Sequence, residues 1–128
     1  MVVLETDFLI DLLRGEEHAV EKSKEIEQKG EKKATTPISA AELLEGAYYT
    51  QGKYLVAAKE LLQSLEILDF DLEAADRSGE IGAELAKKGR QIGIADTMIA
   101  GIVKRYGERL VTRDEHYQEV RGLTLERY

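Results

Sequence analysis

Short apolar runs alternate with longer stretches of helical periodicity along the whole chain, and this alternation restricts the fold more than any other feature of the sequence. Val2 to Leu4 reads as a strand that passes without a linker into Asp7 to Gly15, a short helix with a glycine stop. Glu17 to Gln28 is a charged helix with a thin apolar stripe of Ala19, Val20 and Ile26, and Ala34 to Thr36 is a weak second strand. Ser39 to Tyr49 and Lys53 to Leu65 form a helical hairpin interrupted at Gly52. In its second arm Leu55, Ala58, Leu62 and Leu65 recur at the three- and four-residue steps of one buried face. Strands at Glu66 to Phe70, Arg109 to Thr112 and Gly122 to Leu125, with helices at Leu72 to Lys88 and Ile94 to Tyr106, complete the series. Strands that take turns with helices specify an α/β fold, in which a parallel sheet is joined by helical crossovers.

Acidic residues stand where the apolar runs give way to helices: Glu5 after Val2-Val3-Leu4, Glu42 after Thr36-Pro37-Ile38, Asp96 after Ile92-Gly93-Ile94, and Asp114 after Leu110-Val111-Thr112. In an open parallel sheet, strand C-termini and the helix N-termini that follow them lie along one edge, so carboxylates distant in sequence can meet there. Two unit charges about 5 Å apart at an effective dielectric near 20 repel by roughly 3 kcal/mol, so such a cluster must take up protons or a cation. The chain has no Cys, and His18 and His116 read as surface residues away from the acids. Only oxygen ligands are then on offer, which suits magnesium or manganese better than zinc or copper.

The same acids have a second reading. Ser39-Ala40-Ala41-Glu42 has the form of a capping box, Asp7 is a natural N-cap after Thr6, Asp114 follows Thr112-Arg113, and Asp96 falls in a first helical turn, where the macrodipole favours negative charge. Capping and metal binding therefore compete for the same carboxylates. Glu5 differs because it ends an apolar strand, where enclosing it without a partner is costly, and a functional role is favoured there. Thr6 and Thr112 are either ordinary β-branched strand residues or hydroxyls that orient a carboxylate or a water.

At 128 residues the chain is expected to form one domain over residues 1–128, burying roughly 65 to 70% of its unfolded surface. It has no Cys for disulfides, no apolar run near the roughly 20 residues of a membrane span and no signal-peptide pattern, and is expected to be soluble and cytoplasmic. A net charge of −7 argues against broad affinity for nucleic-acid backbones. It does not exclude a nuclease, because metal-binding acids contribute to that total and basic groups such as Lys104, Arg105, Arg109 and Arg113 remain.

Taken in order, these segments resemble the PIN-domain ribonucleases, and specifically the VapC toxins of prokaryotic toxin-antitoxin pairs. Leu4 to Gly15 is similar to the family's opening segment, Pro37 to Leu43 to its Glu motif, Ile94 to Ala100 to its central Asp motif, and Leu110 to Asp114 with Tyr117 to its C-terminal motif. The family usually carries Asp where this chain has Glu5, so the first carboxylate lies between Glu5, which matches by position, and Asp7 as a contributor. The resemblance implies a PIN-like three-layer α/β/α fold with a central, mainly parallel sheet of four to five short strands. It also implies a divalent-metal-dependent endoribonuclease acting as a type II toxin. Glu5, Glu42, Asp96 and Asp114 would form the catalytic centre, and Glu5, Asp96 and Asp7 would hold one or two magnesium or manganese ions. Thr6, Ser39 and Thr112 would support them, with Arg14 and Arg113 positioning RNA. A VapB-like antitoxin and a homodimer formed through helices near the Glu motif are implied as well. The alternative is a catalytically weakened PIN-like module that binds RNA or protein.

Overall fold

The first strand of the chain becomes the centre of the sheet. In the computed structural model, which describes residues 1–128, β1 (Val2–Leu4) pairs in parallel with β2 (Lys33–Thr35) on one side and β4 (Arg109–Val111) on the other. The edges are β3 (Glu66–Ile67) and β5 (Thr124–Glu126), also parallel, so the order is β3-β2-β1-β4-β5. The connections hold α1 (Thr6–Leu13), α2 (Glu17–Gln28), α3 (Pro37–Thr50), α4 (Gly52–Gln63), α5 (Leu72–Lys87) and α6 (Ile94–Tyr106). No helix is long and apolar enough to cross a membrane.

Side chains alternate between the faces of a strand, so Val2 and Leu4 point to one side of the sheet and Val3 to the other. Val2, Leu4 and Val111 pack with Phe8, Leu9, Ala19, Ile26, Leu43 and Ala58 from α1 to α4. Val3, Ala34 and Leu110 pack with Ala74, Ile81 and Leu85 of α5 and with Ile99, Ile102 and Val103 of α6. The chain steps outward from β1 through β2 to β3 and then returns across the sheet to β4. With crossovers of one hand, that reversal carries α5 and α6 to the opposite face. The result is the three-layer α/β/α arrangement expected from the sequence.

Element ends differ from the sequence pattern where a polar side chain takes over the backbone. β2 ends at Thr35 because Thr36 leaves the strand to cap α3, its Oγ1 accepting from the Ser39 N–H at 3.0 Å, and Pro37 opens the helix. β3 is only two residues long, although Leu68 still donates its N–H to the Thr35 carbonyl at 2.9 Å; Asp71 then caps α5. The last strand starts at Thr124, after a turn in which Gly122 sits at φ 78°. On the far face α6 approaches α5 closely at Gly101, where a Cβ would fall 1.9 Å from Ser78 Oγ and 2.9 Å from the Ala74 carbonyl oxygen.

Candidate metal centre

Because the chain leaves β1 toward β2 on one side and reaches β4 on the other, the C-terminal ends of β1 and β4 form a topological switch point, the place where open α/β sheets collect ligands. Glu5 leaves β1 and caps α1, its Oε2 accepting the Asp7 N–H at 2.7 Å. Asp7 follows in the first turn, half-buried, and its carboxylate takes no hydrogen bond from the protein. Asp96 lies in the first turn of α6, which Gly93 caps without a side chain. Asp114 follows β4 and caps a 3₁₀ turn, Glu115–Glu119, its Oδ1 accepting the His116 N–H at 2.9 Å. From that turn the buried Tyr117 sends its hydroxyl to Asp96 Oδ1 at 3.0 Å and toward Glu5 Oε1 at 3.4 Å.

These groups form two overlapping sets. Ligand atoms of Glu5, Asp7 and Asp114 lie within 4.8 Å of one another, and so do those of Asp96, Asp114 and His116. Burial pushes the Glu5 carboxyl up to about 8, and the neighbouring charges of Asp7, Asp96 and Asp114 add to the shift. Burial also raises Asp7 and Asp96, opposed by Arg113 at the first and by the Tyr117 hydroxyl at the second. Carboxylates that are hard to ionise together, one of them with no protein partner, are a donor set that a hard divalent cation fits.

A pH dependence follows from Glu5. Its folded-state value lies above the ordinary 4.5, so the folded protein holds more protons than the unfolded chain between about 4.5 and 8. Stability from this group is fully present below that window and is lost as pH rises through it, by a few kcal/mol at most, at about 1.4 kcal/mol per unit of difference. Urea unfolding in excess chelator should show the protein weakening from pH 5 to pH 8. Glu5→Gln should flatten that slope; an unchanged slope would remove Glu5 as its source.

The structure places the other expected residues as follows. Glu42 belongs to neither close set; it lies on α3 and accepts from Thr6 Oγ1 at 2.6 Å. The capping box expected at Ser39 and Glu42 is absent. With Thr36 as the cap, Ser39 is an internal, buried residue whose Oγ meets Thr36 Oγ1 at 3.2 Å, and Glu42 is free to face Thr6. Glu5, not Asp7, caps α1, and Thr6 is that helix's first residue. Thr112 is buried and its Oγ1 accepts the Asp114 N–H at 3.0 Å. Arg113 is tied to Asp11, Nε to Oδ2 at 2.7 Å, and Tyr128 donates its hydroxyl to the same oxygen at 2.6 Å. Arg14 is exposed at the end of α1, with no ion pair.

Two residues were missed. His116 is exposed, as expected, but it does not lie apart from the acids: its Nδ1 is 3.1 Å from Asp114 Oδ1. Its spacing of two residues from Asp114 was the available signal. Tyr117 was seen only as part of a motif, and its link between two acids depends on the tertiary fold.

The sequence pattern of the PIN domain matches residues 2–123. Over 98 residues the chain is 34% identical to the tRNA(fMet)-specific endonuclease VapC of Shigella flexneri, covering 74% of each protein. Among solved structures it is similar to VapBC2 of Rickettsia felis bound to a promoter DNA fragment, with a TM-score of 0.84, 25% identity and coverage of 100% of this chain and 99% of that one. The DNA-bound VapBC of Salmonella typhimurium gives a TM-score of 0.82 at 27% identity, covering 98% and 96%.

Proposed function

The chain belongs to the PIN-domain family, and from that premise we propose that it is a metal-dependent endoribonuclease, the toxin of a type II toxin-antitoxin pair. The observation that carries this is the convergence of Glu5, Asp7 and Asp114 within 4.8 Å, with Asp96 and His116 equally close to Asp114. Relatives named as VapC endonucleases and ribonucleases support the activity. Residues 124–126 add β5 to the same sheet, so we read residues 1–128 as one PIN-like domain.

In this assignment Glu5, Asp7, Asp96 and Asp114 hold one or two magnesium or manganese ions, since carboxylates are hard ligands. When bound, such an ion supplies a Lewis acid that acidifies water and offsets charge on the phosphodiester. Glu42, held by Thr6, would orient the attacking water, while Thr112 fixes the backbone at Asp114 and Ser39 accepts from the Thr36 hydroxyl at the start of α3. Hydrolysis joins the water oxygen to phosphorus and breaks the bond to the leaving ribose oxygen, which takes a proton. Arg113, whose charge opposes the burial-driven rise of the Asp7 carboxyl, and Arg14, at the far end of α1, are assigned to the RNA backbone. Arg113 is already oriented by Asp11.

The partner is a VapB-like antitoxin, as in the VapBC complexes that share this fold. A basic side chain of that partner placed among the acids would satisfy them much as a cation does. Tyr48, Tyr49 and Val56, exposed on α3 and α4, offer an apolar face for a homodimer. With an RNA substrate, the protein is placed in the cytoplasm.

The reading is tested by chelation. RNA cleavage supported by magnesium or manganese should stop in excess chelator and return when manganese is restored. Cleavage that continues undiminished in chelator overturns it. Glu5, in a position where the family usually has Asp, favours one second reading, a weakened module that binds RNA or protein; calorimetric titration with manganese separates the two.

A further inference from the structure

Glu5 and Asp96 come from elements that are not neighbours in the chain, the end of β1 and the start of α6, yet both must be held close while repelling each other. One Glu5 oxygen is fixed by the Asp7 N–H. Asp96 takes a single hydrogen bond from the protein, and its donor is the Tyr117 hydroxyl, which also lies 3.4 Å from the other Glu5 oxygen.

We propose that Tyr117 is a positioning residue of the metal centre: its buried hydroxyl sets the Asp96 carboxylate against Glu5, leaving the second Asp96 oxygen for the cation. This rests on the metal-centre reading above and extends it to a residue that need not touch the ion.

Tyr117 is wholly buried in the apolar cluster that contains Leu110 and Val120. A hydroxyl in such surroundings is costly unless it is hydrogen-bonded, and a Phe ring would fill the same space. Its two carboxylate neighbours are the only side-chain partners it has. The turn that carries it is also the turn that Asp114 caps, and Val120 closes it by donating its N–H to the Tyr117 carbonyl at 3.1 Å. One short segment therefore fixes Asp114 directly and Asp96 through Tyr117. Partners that orient ligands in this way typically matter by roughly 10- to 100-fold in metal affinity.

The test compares Tyr117→Phe with Val120→Ala, which loosens the same buried segment but removes no polar group. Manganese affinity is measured by calorimetry and thermal unfolding is followed without metal. Tyr117→Phe should weaken manganese binding by roughly tenfold or more, and saturating manganese should restore most of its RNA cleavage. Val120→Ala should lower the unfolding midpoint and leave manganese affinity at the wild-type value. If Tyr117→Phe also lowers the midpoint, the difference in affinity between the two variants still decides. Wild-type affinity in Tyr117→Phe, or an equal loss in Val120→Ala, overturns the inference. Failure of the wild-type protein itself to bind manganese would instead overturn the metal-centre reading.

Discussion

Asp96→Asn should bring metal-dependent RNA cleavage down by on the order of a thousandfold, about 4 kcal/mol of transition-state stabilisation at about 1.4 kcal/mol per factor of ten. The substitution keeps the shape of the side chain and its acceptor for the Tyr117 hydroxyl, and removes only a charge beside Asp114. The fold should survive, because α6 is capped by Gly93 and Asp96 supplies no side-chain cap. With one raised carboxylate gone, the metal-free variant should melt no lower than the wild type. An RNA cleavage assay with manganese, paired with a circular-dichroism melt, checks both halves. Full activity in a folded Asp96→Asn protein would refute the assignment of Asp96.

The second large effect is on stability. Gly101→Ala should destabilise the protein by about 3 kcal/mol, toward the upper end of what an overpacked core position costs. The added methyl group would meet Ser78 Oγ at 1.9 Å and the backbone of α5 at 2.9 Å, so the helices would have to separate rather than a flexible side chain move aside. Because α6 also carries Asp96, that separation should weaken manganese binding as well. Gly82→Ala is the internal contrast. Its Cβ would lie 3.6 Å from Thr97 Cγ2, an ordinary contact, and replacing a glycine within a helix adds up to about 1 kcal/mol. Urea unfolding of the two variants should move in opposite directions; a neutral Gly101→Ala would show that α5 and α6 can part without loss.

Gly101 and Gly82, with Gly79 one turn before Gly82 on α5, show where sequence reading reaches its limit. Gly79, Gly82 and Gly101 look alike as interruptions of helical patterns, and only packing separates the one pressed against Ser78 from the one facing open space. The alternation of strands and helices was legible because it depends on local periodicity, and the edge that gathers the acids follows from topology alone. Glu5 was harder to place. The sequence sets it apart from the capping acids as the end of an apolar strand, yet it also caps α1, a role that shows only once the helix start is known. The helix start at Pro37 was present in the sequence, since proline favours a first helical position, but the more conspicuous Ser39 and Glu42 pattern masked it. For His116 the only signal was its spacing of two residues from Asp114, which a surface histidine in a charged turn shares. The pairing of Asp11 with Arg113 and Tyr128 spans most of the chain, which no local pattern can reveal.

The central position of β1 also governs when activity can arise during synthesis. This strand is made before both of its neighbours: one comes with residues 33–34, and the other exists only once residues 109–111 have been made. A growing polypeptide thus carries Glu5 and Asp7 without Asp114 to complete their set until β4 has been passed. The set that would hold a cation therefore cannot close on a nascent chain before β4 and the turn after it have been made.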